Sequence, residues 1–329
     1  MTADGGAEAN IGPAVTTVPP RGAPARRIAG VAPRRLLVYL PILPALVAFV
    51  VLLGYPVVLA VSISFQKMGL RELVQHTTVW IGLDNYRQIL TDPTFWTITI
   101  RTIGFTAVNV ALTMLVGTGV ALLLGALNRW LRLALSVALI LAWATPALTA
   151  SVIFQWLFDS KFGVVNWALT SVGIFGDWTN HSWFDTGLST FFVITLLIVW
   201  QAVPFVAFSL RAGILAISAD QYEAARVDGA SERQIFRRIT FPSILPLFMI
   251  LAFLSSIWDF KVFTQIWTVR QGGPAGETVT LAIYAYLKGI TGAQYGLASA
   301  IAVVMVLLLL FLLIPYIRRL IRQQEAAAA

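Results

Sequence analysis

Residues 223–242 read EAARVDGASERQIFRRITFP and separate two long apolar segments of the chain. This polar stretch predicts a short helix, a sharp turn and a second helix. Asp220 or Ser218 is the expected N-cap of the first helix, and Glu223 stands three residues after Asp220, as in a capping box. Gly229 supplies the backbone freedom that ends a helix.

The first predicted helix offers a surface suited to a protein partner. Ala224 and Ala225 are small, so a partner can approach the backbone closely, and Glu223 presents a carboxylate that an arginine of that partner can bind in a fork. The same residue types also occur in ordinary linkers between helices. Three of them alone would therefore indicate little.

Composition places the chain in a membrane. Hydrophobic residues make up 58% of the sequence and charged residues 12%, and the mean hydropathy is +0.81, which is outside the range of soluble domains. A helical span needs about 20 apolar residues. The six segments that meet this length are residues 37–65, 97–127, 133–157, 188–216, 243–266 and 295–317.

The distribution of Lys and Arg predicts the orientation of these spans, because positive residues are retained on the cytoplasmic side. One set of connections carries fifteen: Arg21, Arg26, Arg27, Arg34, Arg35, Arg129, Arg132, Arg211, Arg226, Arg233, Arg237, Arg238, Arg318, Arg319 and Arg322. The opposite set carries six: Lys67, Arg71, Arg87, Lys161, Arg270 and Lys288. Both termini and the Glu223 segment are therefore predicted to be cytoplasmic, with a disordered tail at residues 1–35, a span domain at 36–320 that includes the loop 217–241, and a short tail at 321–329.

Several function classes are disfavoured. The formal charge of +8 follows alternate membrane faces rather than one surface, so a nucleic-acid partner is not expected. The chain has no cysteine and only His76 and His181, which argues against a metal site. No GxxxxGK[ST] phosphate cradle occurs, so the chain does not hydrolyse ATP by itself. We expect no cofactor.

Polar residues inside spans usually face the bundle interior or an aqueous path. Gln201 lies near the middle of the fourth span beside Pro204, and it either lines such a path or bonds to a neighbouring helix. In the fifth span, the indole of Trp258 and the carboxylate of Asp259 suit a carbohydrate, whose ring stacks on an aromatic plane while its hydroxyls need acceptors. Trp258 alone would also fit an interfacial belt. Arg101, close to the outer end of its span, is expected to reach the lipid headgroups.

The polar stretch resembles the EAA loop by which permease subunits of binding-protein-dependent ABC importers contact their cytosolic ATPase. The matching positions are Glu223, Ala224, Ala225, Asp228, Gly229, Ala230, Phe236, Ile239 and Pro242. The resemblance implies an all-α integral membrane protein with six transmembrane helices, the ABC type I importer permease fold and a cytoplasmic coupling loop. It also implies a second homologous permease subunit, an ABC ATPase dimer, an extracytoplasmic sugar-binding protein and membrane lipid as partners, in a bacterial plasma membrane.

A second set of motifs resembles carbohydrate permeases of the maltose-permease type. These are LPALVAFVVLLGYPVVLAVSISF at 43–65, IGLDNYRQILTDPTFW at 81–96, and Gly272, Gly273, Pro274, Thr278, Thr280, Leu281, Tyr284 and Tyr286. By this resemblance the sugar contacts are Trp200, Gln201, Ala202, Phe205, Ser255, Trp258 and Asp259. The chain departs from the family at three of them, where Asp259 replaces an amide, Gln201 replaces an aliphatic residue and Phe205 lacks a hydroxyl. The large extra outer domain of the maltose permease is also absent.

The expected function is transport of a disaccharide or similar carbohydrate. The Ala- and Arg-rich, cysteine-free composition is similar to that of actinobacterial members, and trehalose is the sugar we expect. One alternative is a self-sufficient, ion-coupled secondary transporter, which would need coupling carboxylates within the spans, where Asp259 stands alone. Another is a membrane-embedded enzyme, which would need a catalytic cluster inside the bundle. Neither alternative accounts for the Glu223 segment.

Overall fold

The computed structural model describes residues 42–174 and 176–328, without the side chains of residues 320 and 322–328. All regular structure in these ranges is helical, and the two β-bridges, Gln66 with Trp80 and Gly69 with Gln294, are isolated. The all-α class is confirmed. The tail predicted at residues 1–35 lies outside the described residues.

Five helices are long and apolar enough to cross a membrane. They are α1 (Leu43–Ser64), α4 (Pro93–Ala126), α8 (Gly187–Leu215), α10 (Glu232–Phe260) and the part Tyr295–Arg319 of α13, which continues to Ala328. A sixth crossing is formed if the bent pair α5 (Arg129–Ala144) and α6 (Ala147–Leu157) counts as one span. The predicted count of six therefore depends on this pair.

Shorter helices lie in the connections between the spans. They are α2 (Leu70–Val74), α3 (Asp84–Thr91), α7 (Val164–Val172), α9 (Ala219–Val227), α11 (Thr264–Arg270) and α12 (Leu281–Tyr286). Of these, α9 belongs to the polar stretch from which the fold was predicted.

Two span boundaries differ from the sequence prediction. The third span is interrupted at Thr145 and Pro146, where the helix axis turns by 106°, because the ring of a proline disfavours helical backbone angles at the preceding residue. The fifth span ends at Phe260, and the apolar residues that follow it form a loop and the separate helix α11. Hydropathy alone does not register either interruption.

The described residues divide into two compact units after Tyr55, and the rest of this description concerns the second, which begins at Pro56. Its core lies along α4, which packs most extensively against α8 and then against α10. The contact between α4 and α8 is close at Gly117, where a Cβ atom would lie 2.6 Å from Cγ1 of Val206. Glycine thus lets the two backbones approach each other, as small residues do in membrane helix pairs.

Arg101 lies in a different environment from the one predicted. Its guanidinium is half-buried, and Nη1 donates hydrogen bonds to the carbonyl oxygens of Gly276 (2.8 Å) and Val279 (3.2 Å). These carbonyls belong to the turn between α11 and α12. The sequence prediction did not anticipate these two acceptors, and contact of the remaining donors of Arg101 with the headgroups stays a prediction.

Candidate functional site

The loop between α8 and α10 folds as its sequence predicts, with one difference at its start. Of the two expected N-caps, Ser218 caps α9, and its hydroxyl oxygen accepts a hydrogen bond from the Asp220 amide at 3.3 Å. The capping box expected from Asp220 and Glu223 does not form. The side chain of Glu223 is exposed and forms no hydrogen bond to the described residues.

Gly229 ends α9 in the manner expected of glycine. Its φ is +76°, in the left-handed region that residues with a Cβ avoid. The amide of Gly229 donates to the carbonyl of Arg226 at 3.0 Å, and the amide of Ala230 donates to the carbonyl of Ala225 at 2.9 Å. This pair of bonds is the Schellman arrangement, which satisfies the last carbonyls of a helix.

A second cap starts α10 directly after this turn. The Ser231 hydroxyl accepts from the Gln234 amide at 3.4 Å, and the Gln234 side-chain oxygen accepts from the Ser231 amide at 2.8 Å. Arg226 of α9 and Glu232 of α10 form an exposed ion pair at 3.4 Å. Helix, turn and second helix are thus each defined by local contacts.

One face of α9 is open to a partner. Four exposed residues share it at spacings of three and four: Asp220, Glu223, Ala224 and Val227. The side chain of Val227 is 86% exposed. Sequence reasoning missed Val227, although its position four residues after Glu223 was a sufficient signal. Of the other predicted coupling residues, Asp228 and Gly229 are exposed in the turn and Ala225 and Ala230 are half-buried.

The opposite face of α9 is joined to the spans. The hydroxyls of Tyr222 and Thr240 share a hydrogen bond at 3.2 Å, and Thr240 is buried in α10. A cavity of about 780 Å³ adjoins α9 and is lined in part by Arg211, Tyr222 and the exposed Glu223. The loop therefore has one free face and one face held by the base of α10.

Arg211 links the end of α8 to the end of α4. A Cβ atom at Gly125 would lie 2.6 Å from Nη1 of Arg211, so the guanidinium rests against the backbone of the last turn of α4. The C-terminus of a helix carries a partial negative charge, which a nearby cation stabilises. Arg211 thus holds α4 and α8 together beside the loop.

Gln201, a predicted sugar contact, is used between helices. Its Nε2 donates to the carbonyl oxygen of Thr145 at 3.0 Å, and its Oε1 accepts from Nε2 of Gln265 in α11 at 3.4 Å. The structure thus shows the helix-bonding role that the sequence left open for Gln201. Ala202 beside it is half-buried.

Three predicted aromatic contacts lie on or near an open surface. The rings of Phe205 and Trp258 meet at 5.4 Å with an interplanar angle of 62°, and the rings of Trp200 and Phe154 meet at 5.7 Å. Trp200 is 40% exposed and Trp258 is 46% exposed. Both indoles therefore keep free surface in this conformation.

Ser255 and Asp259 lie on a different face of α10. They are four residues apart and buried, with 4% and 6% of their surface exposed, and Oδ2 of Asp259 has no hydrogen-bond partner in the described residues. Trp258 and Asp259 are consecutive in the helix, so they point about 100° apart, as adjacent helical residues must. That they combine in one sugar pocket stays a prediction.

The described residues contain no group of three or more His, Asp or Glu side chains placed to hold a metal ion.

Comparison with known proteins gives the family. The model of the family "Binding-protein-dependent transport system inner membrane component" matches residues 117–324. The chain is 45% identical over 287 residues to the "Diacetylchitobiose uptake system permease protein DasB" of Streptomyces coelicolor, covering 87% of each chain. It is 32% identical to the "Trehalose/maltose transport system permease protein MalF" of Thermococcus litoralis, covering 85% of this chain and 92% of that one.

A solved structure shares the fold. It is a chain of "a bacterial ABC transporter involved in the import of the acidic polysaccharide alginate", with a TM-score of 0.76 and 21% identity, covering 88% of this chain and 96% of that chain. The family matches most of the described spans, and the fold of that chain covers nearly all of them. This multi-pass membrane chain therefore belongs to the family of inner-membrane components of binding-protein-dependent transport systems, which are transport components and not enzymes.

Proposed function

We propose that this chain is a permease subunit of an ABC importer that moves a disaccharide or similar carbohydrate into a bacterial cell. ATP hydrolysis resides in a partner ATPase dimer, and a second homologous permease subunit completes the path through the membrane. An extracytoplasmic binding protein delivers the sugar. Both termini and the loop around α9 face the cytoplasm, in agreement with the count of Lys and Arg.

The observation that carries this proposal is the division of α9 into a free face and a held face. Glu223, Ala224 and Val227 are exposed on the same face. They form a compact surface with one charged, one small and one apolar side chain, which an ATPase can bind. On the other side, the Tyr222–Thr240 hydrogen bond joins α9 to the base of α10. A push on the free face is therefore passed to α10, and through the short link 216–218 to α8.

The sugar class rests on the relatives and on the aromatic surface. Both curated relatives described above are named for disaccharides. The relative at 45% identity favours diacetylchitobiose over trehalose. In this chain the free faces of Trp200 and Trp258 suit stacking against a sugar ring.

The seven proposed sugar contacts fall into two groups. Trp200, Ala202, Phe205 and Trp258 adjoin or form the aromatic surface, whereas Ser255 and Asp259 are buried in α10 and reach a sugar only after α10 rotates or moves. Gln201 connects the first group to α11. Alternating access requires such a movement, because the site must open to one side at a time.

Cysteine crosslinking tests the coupling role. Because the chain has no cysteine of its own, an introduced cysteine is the single reactive thiol in this subunit. Val227→Cys lies on the free face of α9, and Gln221→Cys, also exposed, lies about 120° away around the same helix. In the assembled importer we expect the first variant, not the second, to crosslink to the ATPase. Failure of Val227→Cys to crosslink, or its labelling by an impermeant maleimide applied outside intact cells, would refute the proposal.

Uptake measurements test the sugar. Proteoliposomes with the complete importer should take up labelled diacetylchitobiose, and unlabelled diacetylchitobiose should compete better than trehalose. Trp258→Ala should raise the KM for the sugar while leaving ATPase binding intact. Better competition by trehalose would reverse the order of the two sugars, and an unchanged KM would remove Trp258 from the path.

A further inference from the structure

A long groove lies between α4, α10 and α13, and none of the seven proposed sugar contacts lines it. Its volume is about 1280 Å³, and it is lined on α4 by residues from Ile103 to Leu122. At a rise of about 1.5 Å per residue this wall is about 30 Å long, which is the thickness of a bilayer's hydrocarbon core. The groove therefore extends through the depth of the membrane.

The walls of this groove are apolar along most of its length. Phe241, Phe248 and Met249 line it on α10, and Leu309 and Leu312 line it on α13. Only three hydroxyl-bearing side chains other than a tyrosine take part: Thr106, Thr118 and Ser256. The last two donate to carbonyls of their own helices, at 2.6 Å to Met114 and 2.7 Å to Ala252. A disaccharide, with many hydroxyls to satisfy, does not fit such walls.

A positive charge stands at one end. Arg319 and Tyr316 of α13 line this end of the groove. Phe236, which lies in the part of α10 nearest the coupling loop, lines it as well. No acidic residue lines the groove. Arg319 is exposed and has no ion-pair partner in the described residues, where the single salt bridge joins Arg226 and Glu232.

We propose that this groove binds an anionic phospholipid from the leaflet on the coupling-loop side, which is the cytoplasmic leaflet in the orientation proposed above. Its acyl chains lie between α4, α10 and α13, and its phosphate is held by the guanidinium of Arg319. Arginine binds phosphate through two parallel N–H donors, and basic residues at the cytoplasmic surface attract anionic lipids.

Lipid retention by two neighbouring arginine variants tests the charge. Arg318 is exposed like Arg319 but does not line the groove, so Arg318→Gln is the matched control for Arg319→Gln. The complete importer is purified in mild detergent after reconstitution with equal amounts of phosphatidylethanolamine and phosphatidylglycerol. Bound lipid is then measured by mass spectrometry.

We expect Arg319→Gln to bind phosphatidylglycerol about fivefold more weakly, which corresponds to about 1 kcal/mol for one arginine at a membrane surface. Arg318→Gln should bind as the unaltered importer does. Equal retention of phosphatidylglycerol by the two variants would overturn the proposal. Neither result depends on which sugar is transported or on whether uptake is coupled to the loop.

Photocrosslinking tests occupancy without altering Arg319. A benzoylphenylalanine at Met249 faces the groove, whereas one at Ile250, which is 41% exposed and does not line the groove, serves as the control. Lipid adducts at position 249 should be enriched in phosphatidylglycerol relative to adducts at position 250. An adduct of position 249 with a polypeptide of another subunit, or with lipids in the proportions found at 250, would overturn the proposal.

Discussion

The side-chain amide of Gln201 donates a hydrogen bond to the carbonyl oxygen of Thr145, with 3.0 Å between the two heavy atoms. Thr145 is the residue at which α5 stops, immediately before Pro146 and the 106° bend. Because α5 stops at this residue, the Thr145 carbonyl has no intrahelical partner. Gln201 of α8 supplies a donor for it and stabilises the break.

This contact predicts the effect of Gln201→Leu. Removing the amide leaves the Thr145 carbonyl without its donor, and because the contact is only part-buried we expect a loss of about 0.5–1.5 kcal/mol, the net contribution of a typical hydrogen bond. We expect a lower temperature of unfolding for the purified importer. Gln265→Leu is the control, since it loses only a 3.4 Å contact and should have a smaller effect. Unchanged stability of Gln201→Leu with an altered sugar affinity would instead assign Gln201 to the sugar path.

Gly229→Ala tests the turn after α9. At a φ of +76° an alanine is strained by about 1–2 kcal/mol, although the space around the position is open. Gly173, with a φ of +70° and equally open surroundings, ends α7 and provides the matched control. Both variants carry similar local strain. Only Gly229→Ala should reduce the sugar transported per ATP hydrolysed, and equal ratios would show that the shape of this turn does not matter for coupling.

Gly117→Ala tests the close approach of α4 and α8. Its new methyl group would meet Val206 at 2.6 Å, and forced overpacking of this kind costs about 1–3 kcal/mol. Gly104→Ala, in the same helix with nothing within 4 Å, should be tolerated. Thermal unfolding of the two purified variants gives the comparison. Equal unfolding temperatures would mean that the two helices separate at little cost.

Tyr284 predicts a loss of stability in alkali. Burial, with Asp92 close by, raises the pKa of Tyr284 to about 12, and its hydroxyl donates to Oδ2 of Asp92 at 3.2 Å. In the unfolded chain the pKa is about 10. The contribution is therefore complete below pH 10 and is lost as the pH rises towards 12.

Tyr284→Phe should remove this alkaline dependence, and Tyr286→Phe, two residues away, should retain it. The measurement is the unfolding temperature as a function of pH from 8 to 12. A steep alkaline loss that persists in Tyr284→Phe would assign it to another group.

The parts of the fold that the sequence predicts are those governed by local rules. Hydropathy locates α4, α8 and α13 to within a few residues, and Gly229 locates the turn after α9. The bend at Thr145 escapes hydropathy because both of its arms are apolar. Pro146 was the available signal.

The candidate sugar contacts show a different limit. Trp258 and Asp259 are neighbours in the sequence and in the family pattern. Because consecutive helical residues point in different directions, Trp258 lies on the surface and Asp259 lies inside the bundle. Arg101 likewise donates to carbonyl oxygens in a turn that begins about 175 residues later in the chain. A contact between residues so far apart in sequence cannot be predicted from a local pattern.

The bend between α5 and α6 also changes what surrounds the chain. Backbone that leaves the helical pattern at membrane depth is tolerated only where protein or water covers it, not lipid tails. Thr145 is half-exposed and Pro146 is exposed within this chain. We therefore expect the second permease subunit or water, rather than lipid tails, to cover Thr145 and Pro146 in the assembled importer.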